Sequence, residues 1–141
     1  MFKAPAKLQR LLKGLAGIPS RAAKRVAARL QERVRDTYAD ECDPYGVPWA
    51  PLAQSTLRRK GGNSVILTRS GASQADCGAR ALGGGGVAVY AGGAAGWHMQ
   101  ASGTRPARCV LPTRGLPTAW RSDIAAECSD EFAKALGRAS R

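Results

Sequence analysis

The sequence predicts an α+β fold in which a small antiparallel sheet packs with N-terminal helices and a C-terminal amphipathic helix. Three observations predict this class: apolar residues at helical spacing before residue 41, short β-branched runs around four consecutive glycines, and a second helical repeat near the C-terminus. The 141 residues suit a single domain. We expect a basic helical arm over 1–41, a loop and sheet core with a short helix over 42–116, and a C-terminal helix over 117–141.

Two helices are expected in the basic arm. Leucines recur at helical spacing between Lys3 and Leu15, and Gly17-Ile18-Pro19 should end that helix. Ser20 is the expected N-cap of a second helix that runs to about Asp40. The second helix carries an apolar stripe that should face the core, formed by Ala23, Val26, Ala27, Leu30, Val34 and Tyr38. Its basic back suits either solvent or a polyanionic partner.

A proline-rich stretch follows, from Asp43 to Leu52. It holds three prolines, one glycine and one tryptophan, so the backbone should be irregular and fixed around one large apolar side chain. The large apolar side chain is that of Trp49.

The next segment predicts a helical turn and a strand-like run. Leu52 to Lys60 should form the turn, with Gly61-Gly62-Asn63 ending it. Val65-Ile66-Leu67 has the β-branched, apolar composition of a strand, and Thr68-Arg69-Ser70-Gly71 should form the turn after it.

A hairpin is expected around the glycine run. Ser73 to Leu82 fits either a strand or a helix, whereas Val87 to Ala91 should be a strand with Val87, Val89 and Ala91 on one face. Gly83 to Gly86 should be the flexible tip of this hairpin. A phosphate-binding loop is disfavoured there because no lysine follows the glycines and a strand, not a helix, comes next.

The last third predicts a short helix, an extended segment and a long helix. Ala94 to Ser102 should be helical up to Gly103, and Arg105-Pro106-Ala107-Arg108 should be extended because of its proline. Cys109-Val110-Leu111 should continue as a strand. A stripe of apolar residues predicts the C-terminal helix, with Thr118 or Ser122 as its N-cap, and consists of Ile124, Cys128, Phe132 and Leu136.

The charge distribution limits the classes of partner. The net charge is +12, which favours polyanions, acidic protein surfaces or anionic membranes. No apolar run reaches the roughly 18–20 residues needed to cross a bilayer. Lys3, Lys7, Arg10 and Lys13 interrupt any signal-peptide core, so we expect a cytoplasmic protein.

Catalytic and metal-binding patterns are absent from the sequence. The four cysteines have no CxxC spacing and His98 is the single histidine, so we expect free thiols and neither a metal site nor a cofactor. Without a nucleophile motif beside it, His98 is expected to be a packing residue. Asp40, Glu41 and Asp43 crowd one helix end, where Asp43 should serve as a turn cap. These patterns predict a protein that is not an enzyme.

The order of several short motifs resembles the virion morphogenesis, or tail-completion, proteins of Mu-like and P2-like tailed bacteriophages. The chain departs from the family at Ala72-Ser73, where leucine is usual, and at Cys109-Val110, where a proline and an aromatic residue are usual. The matching motifs, in the family's order, are Asp43-Pro44-Tyr45-Gly46, Trp49-Ala50-Pro51-Leu52, Thr56-Leu57 with Lys60, Ile66-Leu67-Thr68-Arg69-Ser70-Gly71, Val87-Ala88-Val89-Tyr90-Ala91, His98-Met99-Gln100 with Gly103-Thr104, Pro106-Ala107-Arg108 and Leu111-Pro112.

The resemblance implies a structural virion protein, assembled in the bacterial host cytoplasm, that forms a ring at the head-tail junction as a neck, tail-completion or tail-terminator subunit. A homo-oligomer of roughly six or twelve copies would contact the head-connector and the tail-tube or terminator proteins through heterologous interfaces. Genomic DNA would pass non-specifically through its channel, with no membrane involved. The alternative is a small, basic, non-specific DNA-binding protein.

The resemblance also implies that Trp49, Pro51 and Leu52 hold the proline-rich loop on the core. It further suggests which side chains serve assembly. Subunit contacts are expected at Trp97, His98, Gln100, Arg105 and Arg108. Basic surfaces should pair first with acidic neighbours in the ring and second with DNA, because a tightly binding lumen would retard DNA passage. The candidate contacts to DNA or to an acidic partner are Lys13, Arg21, Lys24, Arg25 and Arg114.

Overall fold

The computed structural model describes residues 6–68 and 70–139. The elements in chain order are α1 (Ala6–Ala16), α2 (Ile18–Ala39), α3 (Gln54–Arg59), α4 (Ala72–Ala75), β1 (Cys77–Ala81), β2 (Val87–Ala91), α5 (Gly93–His98) and α6 (Thr118–Ala139). This arrangement confirms the α+β class, with a two-stranded antiparallel sheet and a C-terminal helix. The predicted start of α1 at Lys3 lies outside the described residues, as does Arg69.

Helix α2 forms the centre of the fold. Every residue of its predicted apolar stripe is buried, and the helix packs against β1 on one side and α6 on another. The prediction of Ser20 as N-cap is wrong, because α2 begins at Ile18 with Gly17 in the N-cap position and a proline in the first turn. The apolar face of α2 is therefore part of the core.

The hairpin pairs Cys77 with Ala91 and Ala81 with Val87, which confirms the predicted turn over the glycines. The backbone N–H of Leu82 donates to the Gly86 carbonyl (2.7 Å). This bond determines which residue pairs of the two strands are hydrogen-bonded and which are not.

The outer edge of β1 is closed by a side chain of α2. The backbone N–H of Ala79 donates to Gln31 Oε1 (2.8 Å), and Gln31 Nε2 donates to the Cys77 carbonyl (3.5 Å). One glutamine therefore supplies an acceptor and a donor where a third strand would supply them.

The glycine tip, which was expected to be flexible, contacts α2 through Gly85. Gly83–Gly85 forms a single 3₁₀ turn, and Gly85 has φ +90°. A Cβ atom added to Gly85 would lie 2.6 Å from Cβ of Pro19. The tip thus rests against the first turn of α2, where only glycine fits.

Helix α6 contributes Trp120 and Ala135 to the core and also packs on α2 through its charged face. Four of its carboxylates meet arginines of α2: Arg25 contacts Glu127 (2.6 Å), Asp130 (3.1 Å) and Glu131 (3.2 Å), and Arg33 contacts Asp123 (2.6 Å). The helix begins at Thr118, and the Pro117 carbonyl accepts the first helical hydrogen bond from Arg121. Pro117 therefore holds the N-cap position, and the predictions of Thr118 or Ser122 as N-cap are wrong. Its apolar stripe does not face the core as a unit, because Ile124 packs there but Cys128 is exposed, Phe132 is 50% exposed and Leu136 is 44% exposed.

Two predicted strands are absent from the described residues. Ile66 is buried, but it lies in a turn, and Leu67 has the unusual φ of +55°. Val110 is fully buried within irregular backbone. Both segments are apolar because single side chains enter the core, so their composition imitated that of a strand. The predicted helical turn near α3 is confirmed, with positive φ at Gly61 and Gly62 after it.

Helix α5 is shorter than expected, since it ends at His98 and not at Ser102. Within the described residues, no helix combines the length and the apolar composition needed to cross a bilayer.

Candidate functional site

The loop from Asp43 to Leu52 is built around Trp49. This indole is 6% exposed and packs edge-on against the ring of Tyr38, with centroids 5.7 Å apart. Its Nε1 donates to the Cys109 carbonyl (3.1 Å), and its backbone N–H donates to the Glu41 carbonyl (2.7 Å). Trp49 thus links the end of α2 to the segment before α6.

Arg108 joins the same loop to α5. Its Nε and Nη2 donate to the Ala50 carbonyl (3.0 and 2.8 Å), and Nη2 also donates to the Pro51 carbonyl (3.0 Å). Its backbone N–H donates to the His98 carbonyl (2.8 Å). Burial lowers the pKa of this guanidinium. Arg108 was expected at a subunit surface, but it is 5% exposed and serves as an internal brace.

The other two expected anchors differ from Trp49. Leu52 is half-buried and packs against the core, whereas the Pro51 side chain is exposed. Pro51 contributes its carbonyl to Arg108, so its ring does not hold the loop on the core.

The turn at the start of the loop is closed by side-chain hydrogen bonds. Asp43 Oδ1 accepts from the backbone N–H groups of Tyr45 and Val47, both at 2.9 Å, which confirms its predicted capping role. The Tyr45 hydroxyl donates to the Gly115 carbonyl (2.8 Å) and accepts from the backbone N–H of Arg114 (2.8 Å). This turn is therefore tied to the residues before α6.

Trp97, His98 and Arg105 form a compact surface cluster, named here the Trp97–Arg105 patch. Trp97 is 63% exposed, and the Arg105 guanidinium carbon lies 3.1 Å from the centroid of its ring. The His98 ring meets the Trp97 ring edge-on at 5.0 Å. Burial lowers the pKa of His98, and the charges of Arg105 and Arg108 lower it further. The imidazole is therefore neutral at pH 7.

The Trp97–Arg105 patch contains buried polar atoms that have no hydrogen-bond partner among the described residues. Arg105 Nη2 donates to the Gln100 carbonyl (3.2 Å), but Arg105 Nε, Arg105 Nη1 and His98 Nδ1 are buried and have no hydrogen-bond partner in the described part of the chain. Gln100 is exposed just beyond α5. Backbone hydrogen bonds between Ser102 and Arg105 in both directions (3.0 Å each) hold this turn in place.

A groove, named here the acidic groove, lies where the C-terminal end of α2 meets the Asp43 turn and the start of α6. Asp36 and Asp40 are exposed in it, and neither forms a salt bridge with a described residue. The one arginine in its wall, Arg33, is paired with Asp123, and this hydrogen bond lowers the pKa of Asp123. Apolar side chains complete the walls: Pro44, Tyr45, Pro117 and Trp120.

The basic residues expected to contact DNA or an acidic partner fall into two groups. Arg21 and Arg25 are engaged with carboxylates of α6, and a hydrogen bond from Arg25 is the main cause of the lowered pKa of Glu131. In contrast, Lys13, Lys24 and Arg114 are exposed, and Arg114 lies over the Tyr45 ring at 4.9 Å. Salt bridges inside the fold thus reduce the cationic surface that is free for a partner.

The cysteines that the sequence predicted to be free are free in the structure. Cys77 is buried between Tyr38 and Ser73, and burial raises the pKa of its thiol. Cys128 is exposed. Over residues 6–68 and 70–139, no group of His, Cys, Asp and Glu side chains is arranged to hold a metal ion.

Comparisons of this chain with protein-family models, with curated proteins and with solved structures each find no match.

Sequence reasoning missed the acidic groove. Asp40 and Asp43 lie close together in the sequence, and this closeness was explained by the turn-capping role of Asp43 alone. The signal in the sequence was the small number of carboxylates. In a chain with 22 basic and 10 acidic residues, each carboxylate should find a salt-bridge partner. Helical spacing also places Asp36 and Asp40 on one face of α2.

Proposed function

We propose that this chain is a structural virion protein of a tailed phage, forming a ring at the head-tail junction through which DNA passes. It is assembled in the bacterial host cytoplasm as a neck, tail-completion or tail-terminator subunit. Its neighbours in the particle are head-connector and tail-tube or terminator proteins. The proposal begins from the ordered motifs between residues 43 and 112 that resemble the tail-completion family.

The packing of these motifs supports the proposal. Trp49 of one motif bonds to the backbone beside another, and Arg108 of a third braces Ala50 and Pro51. Arg108 also bonds to His98 through its backbone. Hydrogen bonds thus join motifs that are far apart in sequence into one unit. We expect such contacts if the ordered motifs belong to one fold.

The observation that carries the proposal is that apolar and aromatic side chains remain exposed although the chain has a buried core. Cys128, Phe132 and Leu136 form an exposed row on α6, and Trp97 is 63% exposed elsewhere. Large exposed apolar residues in rows mark protein interaction surfaces. This row and the separate Trp97 side chain lie on different elements, which suits the heterologous contacts that close a ring.

Size and shape test this function. The purified chain should sediment as a closed oligomer at physiological salt, and negative-stain electron microscopy should show rings with a central channel. A chain that remains monomeric at every concentration up to about 100 μM would overturn the proposal, because weaker contacts than this do not sustain a stable interface.

A second candidate is a small non-specific DNA-binding protein, which the exposed cations of Lys24, Arg58, Arg59, Arg80 and Arg114 favour. It predicts monomers or dimers whose affinity for duplex DNA falls steeply with salt, with a slope near −0.9 per phosphate contacted. A ring that binds DNA only weakly at 150 mM salt would exclude it.

A further inference from the structure

The Trp97–Arg105 patch is an incomplete interaction site. Its Arg105 leaves buried N–H groups without acceptors in the described residues, which is costly. A shift of the Arg105 side chain would offer these N–H groups to an acceptor on a partner. The patch's Trp97 is the most exposed of the large apolar side chains that stand out at the surface, at 63%. Tryptophan and arginine are the side chains most enriched at the energetic centres of protein interfaces. A partner that supplies a carboxylate and an apolar wall would satisfy both side chains.

The acidic groove offers both of these features. Asp36 and Asp40 are exposed carboxylates without a salt-bridge partner in the described ranges, on a chain of net charge +12. The prolines and aromatic rings that line the rest of the groove provide an apolar wall. The patch is cationic and aromatic where the groove is anionic and apolar, so their chemistry is complementary.

We infer that the Trp97–Arg105 patch of one copy docks into the acidic groove of the next copy. The Arg105 guanidinium donates to the carboxylate of Asp40 or Asp36, and the Trp97 ring packs against the apolar wall. This inference rests on the proposed ring and names its subunit contact. The patch and the groove share no residue. In the proposed ring the contact runs head-to-tail and leaves a free patch and a free groove at the ends until the ring closes, whereas a closed two-fold dimer would overturn it.

A second copy accounts for more of the structure than a nucleic acid does. A phosphate could accept from Arg105, but it would leave Asp36 and Asp40 without a salt bridge to a described residue. Docking between copies compensates both sets of charges in one contact. Binding of DNA at the patch is therefore an outcome against which the inference is tested.

Charge reversal tests the contact. The Arg105→Glu variant places a carboxylate opposite the groove, and the Asp40→Arg variant places a cation opposite the patch. Each variant alone should sediment as a monomer, with a loss of self-affinity of at least 100-fold. An equimolar mixture should reassemble, because each patch then finds a groove of opposite charge. The matched controls Arg58→Glu and Glu32→Arg make the same charge changes outside both surfaces and should leave the ring intact.

The outcomes separate this inference from the proposed function. Wild-type rings that persist in both variants overturn the docking contact and leave the ring proposal standing. Loss of assembly in both variants without recovery in the mixture also overturns the docking contact, since the two surfaces then do not meet each other. A wild-type chain without rings overturns both proposals. If Arg105→Glu weakens only DNA binding, the patch serves a nucleic acid instead. Circular dichroism of each variant checks that the fold is kept.

Discussion

Replacing Trp49 with alanine should be among the most destabilising single changes in the proline-rich loop. Truncating a buried tryptophan costs roughly 3–5 kcal/mol. The edge-to-face pair with Tyr38 adds about 1 kcal/mol, and the Cys109 carbonyl loses its donor. We expect a loss of about 5 kcal/mol in the free energy of unfolding, which approaches the whole stability of a typical domain.

A graded series separates ring packing from the hydrogen bond. Trp49→Phe keeps an aromatic ring but removes the donor to Cys109, so it should cost about 1–3 kcal/mol. Urea unfolding, followed by far-UV circular dichroism on dilute monomer, measures these values. With a denaturant slope of about 2 kcal/mol per molar, the midpoint should fall by about 2.5 M for alanine and about 1 M for phenylalanine.

The half-exposed Phe132 provides the matched control for the loss of an aromatic ring. Phe132→Ala should cost less than about 1 kcal/mol, as is usual for surface sites. If Trp49→Ala costs no more than Phe132→Ala, Trp49 does not anchor the loop and the reasoning fails.

Three further predictions concern the hairpin tip, the α2–α6 contact and the cysteines. Gly85→Ala should destabilise the fold more than Gly84→Ala: both have positive φ, but only Gly85 abuts the proline of α2; equal thermal shifts would refute the packed tip. The pKa of Glu131 is lowered in the folded state, so its stabilising effect is present above the unfolded pKa of about 4.3 and is lost as pH falls through the folded value. Urea unfolding between pH 3 and pH 6 should show this loss, and Glu131→Gln should flatten the profile; an unchanged profile would contradict it. A thiol reagent should label Cys128 within the folded protein and reach Cys77 only on unfolding; mass spectrometry of the labelled sites would expose the opposite order.

Local periodicity predicted the parts of the fold that depend on one element. The stripe that includes Val26, Leu30 and Val34 is buried as its 3.6-residue spacing requires. The hairpin was predicted because four glycines separate two runs that can pair. In both cases the information lies within about twenty residues of sequence.

The remaining features depend on contacts between distant residues. The orientation of α6 follows from Arg25 and Arg33, about 90–105 residues earlier in the chain, which attract its acidic face and leave Phe132 outside. Composition alone could not reveal that Arg108 turns inward toward backbone carbonyls. The Trp97–Arg105 patch was expected from the family resemblance. The absence of hydrogen-bond partners for its buried nitrogens within the described residues depends on the three-dimensional arrangement of the side chains.

The closure of β1 by Gln31 limits how this sheet can be extended. Fibre growth by strand addition needs two open edges on every subunit, one to accept a strand and one to offer the next. Gln31 occupies the outward-facing groups of Ala79 and Cys77, so a new strand can join only beside β2. If the hairpins of two copies met edge to edge, they would pair once through their β2 strands. Both outer edges of the resulting sheet would then be β1 strands that Gln31 has closed. A single glutamine thus makes the sheet self-terminating, which protects the chain at high concentration from polymerising through its backbone.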